Sequence, residues 1–314
     1  MGANTPPADG HSNGPPTHRQ TGWFIICNPA SGDGEHTEAV HALAADRGDT
    51  IEETEEAGDA VTLAADAARD GYTQIAACGG DGTVHQVVAG LDAADALAEV
   101  TLGVIPGGTG NSFAGNIGVE GIEHAFELLD SGVRRELDLG IAAAEPFVNS
   151  CIAGLAAETS IETSSELKER YGVLAYVITG LRKQLEFDPL RVELATDAAA
   201  WDGEALCLLI GNARRFSGGQ ANAEDGRFEV TIVETLPPGE MLVEGSIHRL
   251  FGSETEHITT LAATELEIAS REDHEIEFSL DGELRRHRDL TLEVRPDALE
   301  TVVGSDYTPI PPPE

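Results

Sequence analysis

Three glycines and one carboxylate crowd a single corner, residues 79–83, of the stretch AACGGDGTVHQVVAGL, residues 76–91. An apolar run ends in Gly79-Gly80-Asp81-Gly82-Thr83, and the i, i+3, i+4, i+7 spacing of Val84, Val87, Val88 and Leu91 predicts a helix over 83–91. Glycine lets backbone amides approach an anion with no side chain between, and a helix start adds free amides and the positive end of its dipole. Two more loops of this texture, NPASGDG at 28–34 and PGGTGN at 106–111, also follow apolar runs. One such loop is as readily a tight strand-to-helix turn, but three in succession point to phosphate binding. No lysine precedes Lys168, which excludes a GxxxxGK[ST] loop, and neither Gly80–Gly82 nor Gly108–Gly110 extends to GxGxxG. The phosphate charge must then be met by amides and a metal ion, so Asp81 is expected to serve magnesium or its water shell.

The elements that must hold these loops alternate. Strand-like runs at 23–27, 50–54, 74–78 and 101–105 separate helical segments near 35–46, 59–69 and 83–91. This is the pattern of a parallel sheet covered by helices, with its ligand crevice at the carboxyl ends of the strands. After Asp138 the texture becomes β-rich, at 146–153, 189–197, 203–211, 227–235, 257–269, 274–280 and 289–295, with one long helix expected over 161–187. The organisation expected is an α/β domain over 21–138 and a β-rich sandwich domain over 139–305, whose final segment can return to the first. Residues 1–20, rich in proline, glycine and polar types, are expected to be disordered.

Composition narrows the function classes. With 19 basic and 56 acidic residues the formal charge is −37, which repels phosphate backbones and argues against a nucleic-acid partner. Lys168 and Lys183 are the only lysines, and so acidic a surface suits a cytoplasm of very high salt, halophilic in character. Cys27, Cys78, Cys151 and Cys207 are widely spaced in strand-like runs and read as buried, reduced thiols. No signal-peptide pattern is present, and no apolar stretch is long enough to span a bilayer.

In this order and spacing, NPASGDG, GGDGTVHQVVAGL and LGVIPGGTGNSFA resemble the diacylglycerol kinase catalytic-domain family, soluble prokaryotic lipid kinases related to sphingosine and ceramide kinases. The resemblance covers about residues 22–300. It implies a kinase using ATP and Mg2+, with the active site in the cleft between the two domains. The acceptor it implies is a hydroxyl of diacylglycerol or a related lipid, met at the membrane surface by a cytoplasmic protein peripheral to the inner face. It assigns nucleotide contacts to Asn28, Ser31, Gly32, Thr54, Gly79, Gly80, Asp81, Gly82, Thr83, Val84, His85, Gly108, Thr109 and Asn111. Ser112 stands where many members carry aspartate, which leaves more of the metal work to Asp81 and to Asp138 of RELDLG.

Two Asp-Gly pairs carry further expectations. Asp281-Gly282 in EFSLDGELRRHRDL is by itself a hairpin signal. The resemblance makes Asp281 the general base, with Glu283 its acidic neighbour. Asp225-Gly226 in GGQANAEDGRFEV matches a structural magnesium site completed by carbonyls of Asn222 and Arg227, with a plain turn as the rival because the usual preceding proline is absent. Arg285, Arg286 and Arg288, with Arg214 and Arg215, either line the cleft mouth or pair with surface carboxylates. A homodimer is a further expectation. Two rival functions share the loops: an NAD-kinase-like kinase of a soluble substrate, and a non-catalytic nucleotide- or lipid-binding protein.

Overall fold

The computed structural model describes residues 22–154, 189–214, 216, 222–235 and 257–309. The tail at 1–20 and the long helix expected over 161–187 lie outside the described residues. Strands β1 (Phe24–Cys27), β2 (Thr50–Glu53), β3 (Gln74–Gly79) and β4 (Thr101–Pro106) pair in parallel in the order β2-β1-β3-β4. Ile25, Ile26, Ile75, Ala76, Leu102 and Ile105 are fully buried, as near-continuous apolar runs covered on both faces should be. Helices α1 (His36–Arg47), α2 (Asp59–Arg69) and α3 (Asp81–Ala93) make the crossovers. On α3, Val84, Val87, Val88 and Leu91 bury the predicted stripe, and Gly90 permits a close α2–α3 crossing, since a Cβ there would lie 2.3 Å from the Val61 carbonyl. The helix begins at Asp81 rather than at residue 83, so the Gly80-Asp81 junction is itself the helix start.

Three elements follow that the sequence patterns did not reveal: α4 (Ser112–Asn116), α5 (Ile122–Ser131) and β5 (Val133–Ala142). The run at 146–153 divides into β6 (Glu145–Phe147) and β7 (Ser150–Gly154). Antiparallel strands β8 (Leu190–Thr196), β9 (Ala200–Gly211), β10 (Phe228–Glu234), β11 (Ile258–Ala263), β12 (Glu265–Ser270), β13 (Ile276–Leu280), β14 (Glu283–His287) and β15 (Asp289–Val303) build the rest. Their core includes Phe147, Phe228, Phe278, Val230 and Leu292, with the Phe147 and Phe228 rings stacked at 5.7 Å. A second core lies between the parallel sheet and its helices.

Strand β15 joins the two units. Its first half pairs antiparallel with β12 and β5; after a register shift between Arg295 and Leu299 it stays on β5, and Thr301 meets Leu102 of β4 in parallel. The described strands therefore form one hydrogen-bonded sheet, ordered β14-β13-β7-β9-β8-β12-β15-β4-β3-β1-β2 along its main path. Strand β5 runs through residue 138, where the change of texture marks the domain boundary in the sequence.

Candidate active site

The three glycine loops meet at the carboxyl edge of β1, β3 and β4. Asn28 anchors the first: its side-chain oxygen accepts the Ala30 amide at 3.0 Å and its amide donates to Thr83 Oγ1 at 3.3 Å. Ser31 Oγ accepts the Gly80 amide at 3.3 Å. Gly32 and Gly108 are placed where no side chain fits. A Cβ on Gly32 would lie 2.7 Å from the Gly107 carbonyl, and one on Gly108 would lie 2.5 Å from Gly80 Cα. Gly80 has φ −89° and a Cβ there would meet only Gly108 Cα, at 3.4 Å, so neither its backbone nor the space around it in the protein demands glycine. Asn111, at φ +46°, closes the third loop by accepting the Gly108 amide and donating to the Gly108 carbonyl. Thr109 is exposed at its tip. The result is a glycine-walled cradle facing the start of α3, a 13-residue helix with no side-chain cap, which suits an anion.

Asp81 also has a bracing role. Its Oδ2 accepts the Ser112 amide at 2.9 Å and its Oδ1 the Phe113 amide at 2.8 Å, so it ties the second loop to the first turn of α4. Each oxygen retains a second lone pair, which leaves a water shell of magnesium within its capacity. Two of the expected nucleotide contacts, Val84 and His85, turn their side chains elsewhere, while Thr54 stays at the carboxyl end of β2. The Val84 side chain is in the core and its amide goes to the Gly80 carbonyl. Thr54 follows β2 with its amide on the Cys27 carbonyl. His85 is buried and points both ring nitrogens at carboxylates.

Those carboxylates come from the β-rich unit. Asp281 sits at φ +51° in the β13–β14 hairpin turn, which Asp-Gly favours. Its Oδ1 accepts the Asn149 and Ser150 amides, each at 2.8 Å, and its Oδ2 accepts the Val148 amide at 2.7 Å. His85 Nδ1 lies 3.4 Å from the same Oδ2. His85 Nε2 lies 3.3 Å from Glu145 Oε1, and Glu145 is held by Arg285 through Nε at 2.7 Å and Nη2 at 2.5 Å. Burial resists charge on His85, but the two carboxylates outweigh it and raise its pKa. Glu145 is lowered, burial being overcome by Arg285 and His85. Glu283 reaches the phosphate loops from the same turn: a Cβ on Gly82 would be 3.7 Å from Glu283 Oε1. Glu145 carried no sequence signal, because the pairing of β6 on β5 and the 60 residues separating it from His85 are visible only in the fold.

The proposed metal ligands Asp138, Asn222, Asp225 and Arg227 also converge. Asp138 accepts the Gly226 amide at 2.7 Å and the Asp297 amide at 3.0 Å. The Asn222 side chain donates to Asp225 Oδ2 at 2.9 Å, and the Arg227 amide to Asp225 Oδ1 at 3.1 Å. Burial raises the Asp138 pKa, and the neighbouring charges of Asp225 and Asp297 add to the shift. A hard cation held at this turn would relieve the repulsion that Asp225 and Asp297 exert on Asp138.

The arginine cluster divides. Arg286 pairs with Glu277 and Arg288 with Asp273, all on the exposed surface, whereas Arg285 turns inward to Glu145. Adjacent residues of a strand face opposite ways, so β14 cannot turn both Arg285 and Arg286 to one cleft.

The diacylglycerol kinase catalytic domain matches residues 22–142, and the YegS C-terminal NAD kinase beta sandwich-like domain matches residues 149–303. A Pseudomonas putida protein named "Probable lipid kinase YegS-like" is 34% identical over 252 residues, covering 78% of this chain and 82% of its own length. A Cronobacter sakazakii protein of the same name is 32% identical over 298 residues, 92% of this chain and 98% of its own. The crystal structure of a diacylglycerol kinase from Bacillus anthracis superposes with a TM-score of 0.66 at 21% identity, covering 91% of this chain and 98% of the other, and so shares the fold.

Proposed function

The chain belongs to the diacylglycerol kinase catalytic-domain family that includes the YegS-like lipid kinases, and on that premise we propose that it transfers the γ-phosphate of ATP to a hydroxyl of diacylglycerol or a related lipid alcohol. The observation that carries this reading is the docking of the Asp281-Gly282-Glu283 turn against Gly82 and His85, which brings carboxylates of the β-rich unit to the phosphate loops of the α/β unit. Phosphoryl transfer asks mainly for positioning and charge stabilisation. The glycine cradle and the start of α3 would supply donors to phosphate oxygens, and the Asp281-Gly282-Glu283 turn would supply the proton acceptor, Glu283 being its carboxylate nearest the Gly82 loop. Magnesium bound with the nucleotide would neutralise phosphate charge beside Asp81, and a structural ion would sit with Asp138, Asp225 and the carbonyls of Asn222 and Arg227.

No helix among the described residues is long and apolar enough to cross a membrane, and in this reading the lipid is met at a membrane surface. We place that contact at the inner face of a high-salt cytoplasm. The NAD-kinase-like alternative shares the GGDGT loop and is separated by assay. Purified protein with Mg-ATP is offered NAD and a lipid extract containing diacylglycerol side by side, and products are read by mass spectrometry. Phosphorylated lipid is expected. Phosphate appearing only in NADP, or ATP binding without turnover on either acceptor, overturns the reading.

A further inference from the structure

Two of the four cysteines are neighbours in space. Cys27 and Cys78 stand directly opposite each other in the parallel β1–β3 pair, so their side chains leave the sheet on one face, and the sulfurs lie 3.5 Å apart. His36, the first residue of α1, joins them: a ring nitrogen and the two sulfurs all lie within 4.8 Å of one another. Both cysteines are 0% exposed and His36 is 6% exposed. Two thiols and an imidazole are thus gathered in the core at the carboxyl ends of β1 and β3, directly beneath the phosphate loops.

The histidine shows what the group lacks. Its Nε2 lies 3.2 Å from the Asn28 carbonyl, which can only accept, so Nε2 carries the hydrogen and a neutral ring keeps a bare lone pair on Nδ1. Nδ1 is buried and has no hydrogen-bond partner. Orphans of this kind are rare in a folded core, and a Lewis acid satisfies one as a donor would. A hydrogen bond from one ring nitrogen to a backbone carbonyl is also how metal-binding histidines are fixed in a single tautomer. The spacing fits as well. Two thiolates on one tetrahedral ion, at a metal–sulfur distance of about 2.3 Å, stand about 3.8 Å apart, so sulfurs 3.5 Å apart are nearly in place. The ring nitrogen has at most about 1 Å to travel.

We propose that Cys27, Cys78 and His36 bind one thiophilic cation, zinc(II) or copper(I), beneath the phosphate loops. Thiolate and imidazole ligands select these ions over magnesium, which takes oxygen. Zinc with two thiolates is a neutral unit and so tolerates burial, with water in its fourth position; copper(I) is content with three ligands. Each thiol loses its proton to solvent as its sulfur bonds the metal, so uptake releases two protons and changes no oxidation state. The ion would tie the roots of all three loops together. Cys27 precedes Asn28 of the first loop and Cys78 precedes Gly79 of the second. The His36 ring packs on Gly107 of the third, where an added Cβ would fall 2.7 Å from it. The site is separate from the magnesium work assigned to Asp81, and it stands whichever acceptor the protein phosphorylates.

A buried site of this kind fills as the chain folds, so the test offers the metal at that stage. The full chain, free of any polyhistidine tag, is refolded anaerobically with reductant and zinc(II), copper(I) or cobalt(II), desalted, and its metal content read by mass spectrometry. About one zinc or copper per chain is expected, and the cobalt form should show a thiolate-to-metal charge-transfer band in the near ultraviolet. His36→Gln keeps a donor for the Asn28 carbonyl but removes the ligand. It should weaken metal binding by more than the roughly 10–100-fold that follows loss of a ligand's hydrogen-bond partner. Cys78→Ala should abolish stoichiometric binding, with circular dichroism confirming that both variants fold. ATP, titrated with Mg2+ present, should bind the loaded chain more tightly than the metal-free one. A folded wild type that takes up neither zinc nor copper, a cobalt form without the thiolate band, or a Cys27–Cys78 disulfide formed in place of a metal complex overturns the site. Full metal content in both variants overturns the ligand set, and equal ATP affinity with and without the ion overturns the bracing of the loops.

Discussion

At the scale of single residues, the Asp281 carboxylate has two separable duties. Its negative charge serves the chemistry, while its acceptor positions hold the Val148–Ser150 backbone in place. Asp281→Asn should lower turnover by roughly 10²–10⁴-fold with little change in KM for ATP. The new NH2 must also face a backbone amide, leaving buried donors unmet at about 1–3 kcal/mol, so the urea midpoint should fall as well. Unchanged turnover would remove Asp281 from the mechanism. His85 and Glu145 add a stability signature. The His85 pKa is raised by folding, so its stabilisation is complete below the unfolded value near 6.5 and is lost as pH rises through the folded one. The Glu145 pKa is lowered, so its contribution is present above the unfolded value of about 4.5 and is lost on acidification. Urea midpoints should therefore peak on the weakly acid to neutral side, and His85→Gln should flatten the alkaline slope; an unaltered slope would mean that His85 carries no such linkage. The sequence makes Asp281 legible as a turn residue and His85 as part of a loop motif. The bond between them spans 196 positions and depends on where the β13–β14 hairpin docks, which no local pattern encodes.

At the scale of elements, the three loops work as one piece because each is braced on another. Gly108→Ala sets a Cβ 2.5 Å from the backbone of Gly80, and backbone cannot yield as a side-chain tip can. Overpacking of this kind costs about 1–3 kcal/mol, so the ATP Kd should rise by about tenfold or more in a folded protein. Gly80→Ala, with its nearest contact at 3.4 Å, should be milder; isothermal titration that ranks the two in the opposite order would show that the loops do not touch as described. Asp81→Ala removes both carboxylate bonds to α4 and should weaken ATP binding even without added metal, a comparison that separates bracing from metal work. The parallel strands were readable from their local apolar runs and α2 from its apolar period; α1 shows almost no such period and was legible only from its place between strands, whereas α5, with a period as strong as that of α2, escaped the reading. Helix α4 is a five-residue turn, and β5 opens with the exposed, charged stretch Val133–Glu136, so neither shows the period that identifies such elements. The break between β6 and β7 was hidden for a related reason. Val148 and Asn149 sit between those strands and spend their amides on Asp281, so the polypeptide leaves the sheet there to build the site.

At the scale of the whole molecule, charge is the largest unbalanced term. Many of the 19 basic residues already serve ion pairs, including Arg47, Arg135, Arg191, Arg271, Arg285 and Arg295, so most of the 56 acidic residues face others of their own sign. Salt acts on these two populations unequally. Exposed pairs are worth about 0–1 kcal/mol each, and those at contact distance lose only part of that to screening. Repulsion within a net charge of −37 works over longer distances and is cut off as the Debye length shrinks from about 10 Å at 0.1 M to about 3 Å at 1 M. The balance favours stabilisation. Raising KCl from about 0.1 M to 1 M should lift Tm by at least several degrees, since each kilocalorie recovered is worth about 2–4 °C in a chain of this size. KCl is the informative salt, because sulfate would also strengthen apolar burial and confuse the cause. A parallel series in sucrose, which is excluded from the surface without screening charge, supplies the control. If KCl left Tm flat or lowered it, the ion pairs and not the net charge would govern this surface, and the inference of a high-salt cytoplasm would fall with it.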